Sequence, residues 1–286
     1  MPRIATTREE LRKALAGTRP GLVPTMGALH AGHRALIARS VAENAVTVVS
    51  VFVNPAQFSE PTDMARYPRD LDRDVAIAGE AGADLVFAPA VDAIYPPEFD
   101  TFVEVGSLAS RWEGASRPGH FRGVATVVAI LLNLVQPERA YFGEKDYQQL
   151  QVVRRMHRDL ALPGAIVACA TVRDADGLAL SSRNDRLSAE GRVRAAAIPR
   201  AMTRVVAAAK AGEMHTMQLE LLAAEAMMDG GLRVDYVAVV DGRTLEPLQL
   251  VRPGARLLIA AEIEGVRLID NAAVAPETAG RGEHAN

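Results

Sequence analysis

Residues 45–53 read AVTVVSVFV, a β-branched and almost wholly apolar run. A strand that faces water on one side alternates apolar and polar residues. This one does not, so both of its faces must be covered. The usual cover for such a strand is a helix layer on each side of a parallel sheet, and the sequence supplies the helices by alternation. GLVPT (21–25) reads as a short buried strand and AGHRALIARSVAEN (31–44) as a helix leading into the 45–53 strand. A turn-rich loop follows, NPAQFSEPTDMARYPRD. The pattern then resumes with DLDRDVAIAGEAG as a helix ending at glycine, ADLVFAP as a strand, GVATVVAILLNLV as a helix, RAYFG as a strand, DYQQLQVVRRMHRDL as a helix and AIVACATV as a strand. Such alternation predicts right-handed crossovers and an α/β fold, doubly wound and Rossmann-like.

After about Val172 the character changes. Two helical stretches, 188–211 and 217–228, precede RVDYVAVVD, ARLLIAAEI and GVRLIDNAAV. Helices followed by strands predict a smaller C-terminal α+β domain. The expected division is 1–172 for the Rossmann-like domain and 173–286 for the second. The tail PETAGRGEHAN is polar and contains glycine, and is expected to fray.

Composition matters for what it removes. The formal net charge is −3 and no long basic run occurs, which argues against a nucleic-acid partner. The single cysteine, Cys169, lies in an apolar run. It rules out an internal disulfide framework and a cysteine zinc cluster, and fits a reducing cytoplasm. MPRIATTREELRKAL has no apolar h-region, so no secretory signal is expected. GVATVVAILLNLV is too short to span a bilayer and reads as a core helix, so no membrane partner is expected.

Ligands of parallel sheets sit beyond the carboxyl ends of the strands. PTMGALH, VNPAQF, FGEKD and TVRDADG all follow predicted strands and should gather on one edge. His30 and His33 fall at a strand-to-helix junction, where both rings would lie on the first helical turn. The free N–H groups and positive dipole end of a helix suit phosphate. A metal would need further ligands, and no HExxH, cysteine pair or third close histidine follows. Ordinary capping or surface histidines are the third reading. Lys145 in GEKD (143–146) could reach a polyphosphate, although the GxxxxGK[ST] spacing is absent. Otherwise it belongs to a solvated helix start capped by Asp146. In LALSSRNDRL, Ser181, Ser182 and Arg183 combine hydroxyls with a guanidinium, as an anion clamp does. They could also be a plain loop before a helix capped by Ser188, with Glu190 in its first turn. Asn54, Gln57, Gln148 and Gln149 are neutral amides near the same edge, suited to a small polar substrate or to solvent.

The combination is more specific than any part. An HxGH loop after the first strand, with a lysine and Ser-Ser-Arg near the end of the α/β domain, is the layout of the class I adenylyl-transfer superfamily. The whole chain resembles the pantoate–β-alanine ligase family. The resemblance is carried by PTMGALHAGH (24–33), SVFVNPAQF (50–58), YPRD (67–70), RPGHFRGV (117–124), YFGEKDYQQL (141–150) and LSSRNDRL (180–187). VDYVAVVD (234–241) and LIDNAAV (268–274) fit the family's C-terminal domain. One departure is Leu180, where the family usually has methionine. An apolar residue of similar size should leave the adenine pocket nearly unchanged.

The resemblance implies ATP-dependent condensation of (R)-pantoate with β-alanine to pantothenate through a pantoyl adenylate, releasing AMP and pyrophosphate, a step towards coenzyme A. It implies an ATP site built from Met26, Gly27, Ala28, Leu29, His30, Ala31, Gly32, His33, Gly143, Glu144, Lys145, Asp146, Val172, Leu180, Ser181, Ser182 and Arg183. Of these, His30, His33, Lys145 and Arg183 would be catalytic, with His33 in the family's position of proton donor. Gln57 and Gln149 would hold pantoate, Gln57 also lying near β-alanine. Mg²⁺ would accompany ATP, with Asp72 or Asp74 as candidates to orient it. The resemblance further implies a homodimer. It makes the 54–69 loop and the C-terminal domain candidate lids that keep water from the adenylate. A nucleotidyltransferase that keeps AMP on its product would share the HxGH loop but would not need Gln57 and Gln149. An aminoacyl-tRNA synthetase fragment is opposed by the acidic charge and short length. A nucleotide-binding regulator without catalysis is opposed by His33, Lys145 and Arg183.

Overall fold

The structure, a computed structural model, describes residues 1–58 and 61–275. The polar tail expected to fray lies outside the described residues, as do two positions of the 54–69 loop. The chain divides into two compact units, Met1–Val172 and Arg173–Asn286.

The first unit is built on six strands: β1 (Arg3–Ala5), β2 (Gly21–Thr25), β3 (Thr47–Val51), β4 (Leu85–Phe87), β5 (Arg139–Gly143) and β6 (Ala165–Cys169). They form one parallel sheet in the order β1-β4-β3-β2-β5-β6, the doubly wound arrangement expected. The sequence of β3 explains its place: Val48 and Val49 are fully buried between neighbours β2 and β4. From β2 the chain winds outwards through β3 and β4, then returns to place β5 and β6 on the other side. The direction reverses between β2 and β5, and crevices of such sheets open at that reversal. The pairing makes the opening visible. β2 pairs with β3 along all of Gly21–Thr25, and β5 with β6 along all of Arg139–Gly143. Between β2 and β5 the register is confined to Gly21↔Arg139 and Leu22↔Ala140, so their carboxyl halves diverge.

The His120–Val135 helix, expected as a core helix, buries Phe121, Val124, Val128, Leu131, Leu132 and Val135. Among the described residues no helix is long and apolar enough to cross a membrane. Two elements near the N-terminus were not anticipated: β1, a three-residue edge strand too short for any periodicity, and the Arg8–Leu15 helix. The helix does carry a start signal. The Thr7 side chain accepts from the Glu10 N–H, and the Glu10 carboxylate accepts from the Thr7 N–H.

The second unit places the helices Ala189–Ala195, Ala197–Lys210 and Thr216–Asp229 with an antiparallel sheet of β7 (Arg233–Asp241), β8 (Ala255–Ile263) and β9 (Val266–Ala273). Its core joins Ile198, Val205, Leu219 and Met227 to Val239, Leu257 and Ile259. The continuous helix expected over 188–211 is interrupted at Ala196. Pro199 is the reason: it has no N–H to give the Ala195 carbonyl four residues back. Ser188 does cap the first of the two helices, accepting from the Gly191 N–H.

Candidate active site

The HxGH segment leaves β2 at Thr25, whose hydroxyl donates to the Ser50 carbonyl and accepts from the Gly27 N–H. The next two residues are left-handed, Gly27 at φ +83° and Ala28 at φ +52°. For alanine that conformation costs about 1–2 kcal/mol, so something must hold it. Asp74 does. It is 2% exposed, and its carboxylate accepts from the N–H groups of Ala28 (3.0 Å) and Leu29 (2.8 Å). Leu29 then anchors the loop in the cluster of Val23, Ile37, Val49, Val86 and Tyr141. Asp74 is also one of the two residues weighed for orienting a metal. Both of its oxygens brace the backbone from below, and Asp72 is exposed on the first turn of the Leu71–Glu80 helix.

His30 is the N-cap of the Ala31–Glu43 helix and His33 lies in its first turn. The rings face each other with centroids 4.2 Å apart. His30 Nδ1 accepts from the Gly32 N–H at 3.1 Å, and His33 Nδ1 accepts from the His30 N–H at 3.3 Å. A side chain on Gly32 would lie 2.9 Å from the His30 ring, so the glycine lets that ring fold back onto the helix start. Two consequences follow. Two of the helix's N-terminal N–H groups are already spent on imidazoles, so they are not the phosphate donors that a bare helix end would offer. And because each Nδ1 is an acceptor, each neutral ring carries its proton on Nε2. The donor of each ring is therefore its Nε2–H. Burial pushes the His33 pKa down to about 3; the neighbouring His30 and the Lys145 charge push the same way, and Asp146 opposes them. His33 is neutral at physiological pH.

Lys145 and Asp146, on the GEKD turn, thus lie within electrostatic range of His33. Glu144–Asp146 form a single 3₁₀ turn at the end of β5, across the crevice from β2. The Lys145 side chain is 17% exposed and its ammonium lies 3.7 Å from the Asp146 carboxylate. Asp146 stands at the N-cap position of the Tyr147–Asp159 helix but makes no side-chain cap bond, contrary to the capping role weighed for it. On the β3 side, Gln57 is buried and donates Nε2–H to Met26 Sδ. Gln149 is half-buried on the first turn of the Tyr147–Asp159 helix. Gln148 is structural: it accepts from the Glu113 N–H and donates to the carbonyls of Leu108 and Arg111.

The first unit thus brings Met26, His30, His33, Gln57, Lys145 and Asp146 to the switch point. Val172 ends that unit and is half-buried. The remaining expected residues belong to the second unit. There Arg173 grips Asp270 through both nitrogens (2.6 and 3.0 Å) and donates to the Gly177 carbonyl. Arg192 ties down Asp174 at 2.7 Å and Asp176 at 2.9 Å. These pairs fix the turn that leads to Leu180–Arg183. Ser181 Oγ accepts from the Arg183 N–H, the Ser181 carbonyl accepts from the Asn184 N–H, and Arg183 itself is exposed. Sequence reasoning gave no role to Asp74's brace, Tyr95, Arg117 or His120. The last two stood in RPGHFRGV, and both turn inwards: His120 Nδ1 lies 2.8 Å from the Gln57 carbonyl, and Arg117 donates to that same carbonyl at 3.3 Å. Among the described residues no group of three or more His, Cys, Asp or Glu could hold a metal.

The lowered pKa of His33 has a consequence for stability. The His120 pKa is also lowered, to about 4, by burial and then by Arg117. In the unfolded chain both would bind protons near pH 6.5, so between that value and their folded values the unfolded state binds more protons. Stability is then full above about pH 6.5 and falls on acidification, by about 1.4 kcal/mol per pH unit for each histidine. Thermal midpoints between pH 7.5 and 4.5 should show this. His33→Asn keeps an acceptor at the Nδ1 position but cannot titrate, so it should flatten the slope. An unchanged slope would remove His33 from the account.

Comparison with known proteins places the chain. The family model described as pantoate-beta-alanine ligase matches residues 2–273. The chain is 53% identical over 277 residues to the pantothenate synthetase of Thermus thermophilus, covering 96% of this chain and 100% of that protein. It is 48% identical over 275 residues to that of Herpetosiphon aurantiacus, covering 94% and 98%. The crystal structure of the Thermus thermophilus enzyme superposes with a TM-score of 0.92 at 52% identity, over 96% of this chain and 100% of that one. A pantoate-beta-alanine ligase from Francisella tularensis, complexed with beta-gamma ATP and beta-alanine, gives a TM-score of 0.79 at 33% identity, over 96% and 98%.

Proposed function

The chain belongs to the pantoate–β-alanine ligase family, and from that premise we propose that it joins (R)-pantoate to β-alanine through an enzyme-bound pantoyl adenylate, with the switch-point crevice as the site of the first half-reaction. The observation that carries the placement is a neutral His33, its ring against His30, within electrostatic range of Lys145 where β2 and β5 diverge. The chemistry needs such donors. A pantoate carboxylate oxygen attacks the α-phosphorus, the bond to the bridging oxygen breaks, and pyrophosphate departs with its charge. Fixed donors and a cation aimed at those oxygens lower the barrier most when they are in place beforehand. A His33 that is neutral at rest serves better as a hydrogen-bond donor to the leaving group than as a cationic acid. In the second half-reaction the β-alanine nitrogen attacks the acyl carbon, the bond from that carbon to the bridging oxygen breaks, AMP leaves with that oxygen, and the amine proton is lost.

Met26–His33 and Gly143–Asp146 are assigned to ATP on this reading. Val172 and Leu180–Arg183 are assigned to the same nucleotide on the strength of the motif they match. Gln57 and Gln149 are assigned to pantoate, the substrate whose hydroxyls and carboxylate suit neutral amides. Mg²⁺ arrives with ATP. The second unit and the 54–69 segment are assigned the task of excluding water from the adenylate. A homodimer in the cytoplasm completes the proposal, on family resemblance.

Isotope exchange tests it. Enzyme, Mg²⁺, ATP and pantoate should move labelled pyrophosphate into ATP with no β-alanine present, and β-alanine should then release AMP with one new amide. A nucleotidyltransferase that keeps AMP on its product would show no pantoate-dependent exchange. An acyl-phosphate mechanism would exchange phosphate, and a regulator would exchange nothing. Absence of pantoate-dependent exchange in folded, ATP-binding protein rules the proposal out.

A further inference from the structure

Asn54 is 1% exposed and sits between backbone groups of fixed polarity. Its Oδ1 accepts from the Ala56 N–H at 3.2 Å, and its Nδ2 donates to the Gly123 carbonyl at 3.1 Å. That fixes which way round the amide stands. The second Nδ2 proton goes to Gln57 Oε1 at 3.0 Å, so Gln57 can turn only Nε2 outwards. In this structure Nε2 lies against Met26 Sδ, a weak acceptor. At the far end of this relay the Tyr95 hydroxyl donates to Asn54 Oδ1 at 2.7 Å, a shorter bond than those Asn54 makes with Ala56, Gly123 and Gln57. Without it Oδ1 keeps one donor, at 3.2 Å, in a site closed to solvent. The Tyr95 ring is itself held edge-on to Phe99, with centroids 5.0 Å apart, and tilted against Phe52 at 6.1 Å.

We propose that Tyr95 is a positioning residue for substrate recognition: its hydroxyl, through Asn54, fixes the Gln57 amide with Nε2–H facing the substrate, so that the group bound there must be a hydrogen-bond acceptor. The thioether of Met26 gives way to an oxygen, which accepts the same proton more strongly. A carboxylate or hydroxyl oxygen of a hydroxy acid fits; a group that can only donate strands the amide. Burial holds the Tyr95 hydroxyl at a pKa of about 12, so it remains a donor throughout the working pH range. This inference rests on the assignment of pantoate to Gln57.

Steady-state kinetics with each substrate varied separately test it. Tyr95→Phe should raise the pantoate KM by ~5–10-fold, the scale of a buried acceptor left short of a partner, with kcat and the ATP KM within a factor of ~2. Incorporating 4-aminophenylalanine in place of Tyr95 returns a para N–H donor and should restore the pantoate KM. Gln57→Glu, which turns an anionic oxygen towards the substrate, should raise the pantoate KM by at least ~100-fold, as like charges in a shared site do. Tyr95 is overturned as a positioning residue if its phenylalanine variant leaves the pantoate KM unchanged. It is equally overturned if the variant moves the ATP and pantoate KM values together, as a general loosening would. Gln57→Ala separates the premise from the inference. If that variant leaves the pantoate KM unchanged, the placement of pantoate is wrong; if it raises the pantoate KM and Tyr95→Phe does not, only the role of Tyr95 is wrong.

Discussion

Lys145→Ala is expected to slow pantoate-dependent pyrophosphate exchange by at least ~10²-fold, the loss typical of removing one preorganised transition-state donor. The ammonium stands on the turn that ends β5, near enough to His33 to depress its pKa, and little exposed to water. A cation so placed meets the phosphates when charge moves onto the leaving group, so the loss should fall on kcat more than on ATP affinity. Lys145→Arg keeps the charge on a longer, planar head and should recover only part of the rate. The His33 pKa offers a check independent of catalysis. With the Lys145 charge gone, one of the effects holding it down disappears, and the imidazole resonances of Lys145→Ala should titrate at higher pH. Near-normal exchange in Lys145→Ala would refute the assignment.

Asp74→Ala should be the most damaging change away from the substrate-facing side chains. It strands the N–H groups of Ala28 and Leu29 beneath the loop, and each buried orphan donor costs about 1–3 kcal/mol. The thermal midpoint should fall by roughly 5–20 °C, given about 2–4 °C per kcal/mol for a chain of this size. Ala28 would also be freed from its left-handed conformation, and His30 and His33 would lose their shared geometry. ATP affinity should fall with stability. Asp74→Asn keeps one acceptor and should show an intermediate loss of both. If Asp74 served mainly to orient Mg²⁺, the alanine variant would melt normally and raised Mg²⁺ would restore its activity. Either result would overturn the structural role.

How far these residues could be read in advance depends on what fixes each of them. AVTVVSVFV demanded cover on both faces, and the helix–strand alternation supplied it. The parallel sheet was therefore legible, because burial of a strand is written in its own side chains. The start of the Arg8–Leu15 helix was also legible in Thr7 and Glu10, a local signal that went unused. The break at Ala196 followed from Pro199, equally local. His30, His33 and Lys145 could be chosen because strand ends in a parallel sheet share an edge, and the family pattern gave them a common substrate.

Other assignments had no local signature. Asp74 reads as a surface acid in a helix's first turn, and nothing near it in the sequence says that Ala28 and Leu29 lie above it, 46 and 45 positions away. Gln148 and Gln149 are adjacent and chemically identical. The helix alone turned one towards the carbonyls of Leu108 and Arg111 and left the other half-buried. Tyr95 meets Asn54 across 41 positions. The sequence by itself determined the sheet, its helical cover and the change from α/β to α+β segments, since these follow from periodicity and residue type over short spans. Only the tertiary structure decided the protonated nitrogen of each histidine, the direction in which Gln57 presents its amide, and whether an acid braces the loop or faces solvent. The histidines depend on the exact shape of the turn at the helix start, and Gln57 and Asp74 on hydrogen bonds that reach distant segments, so a polar group's role is set by which partner the fold brings to it.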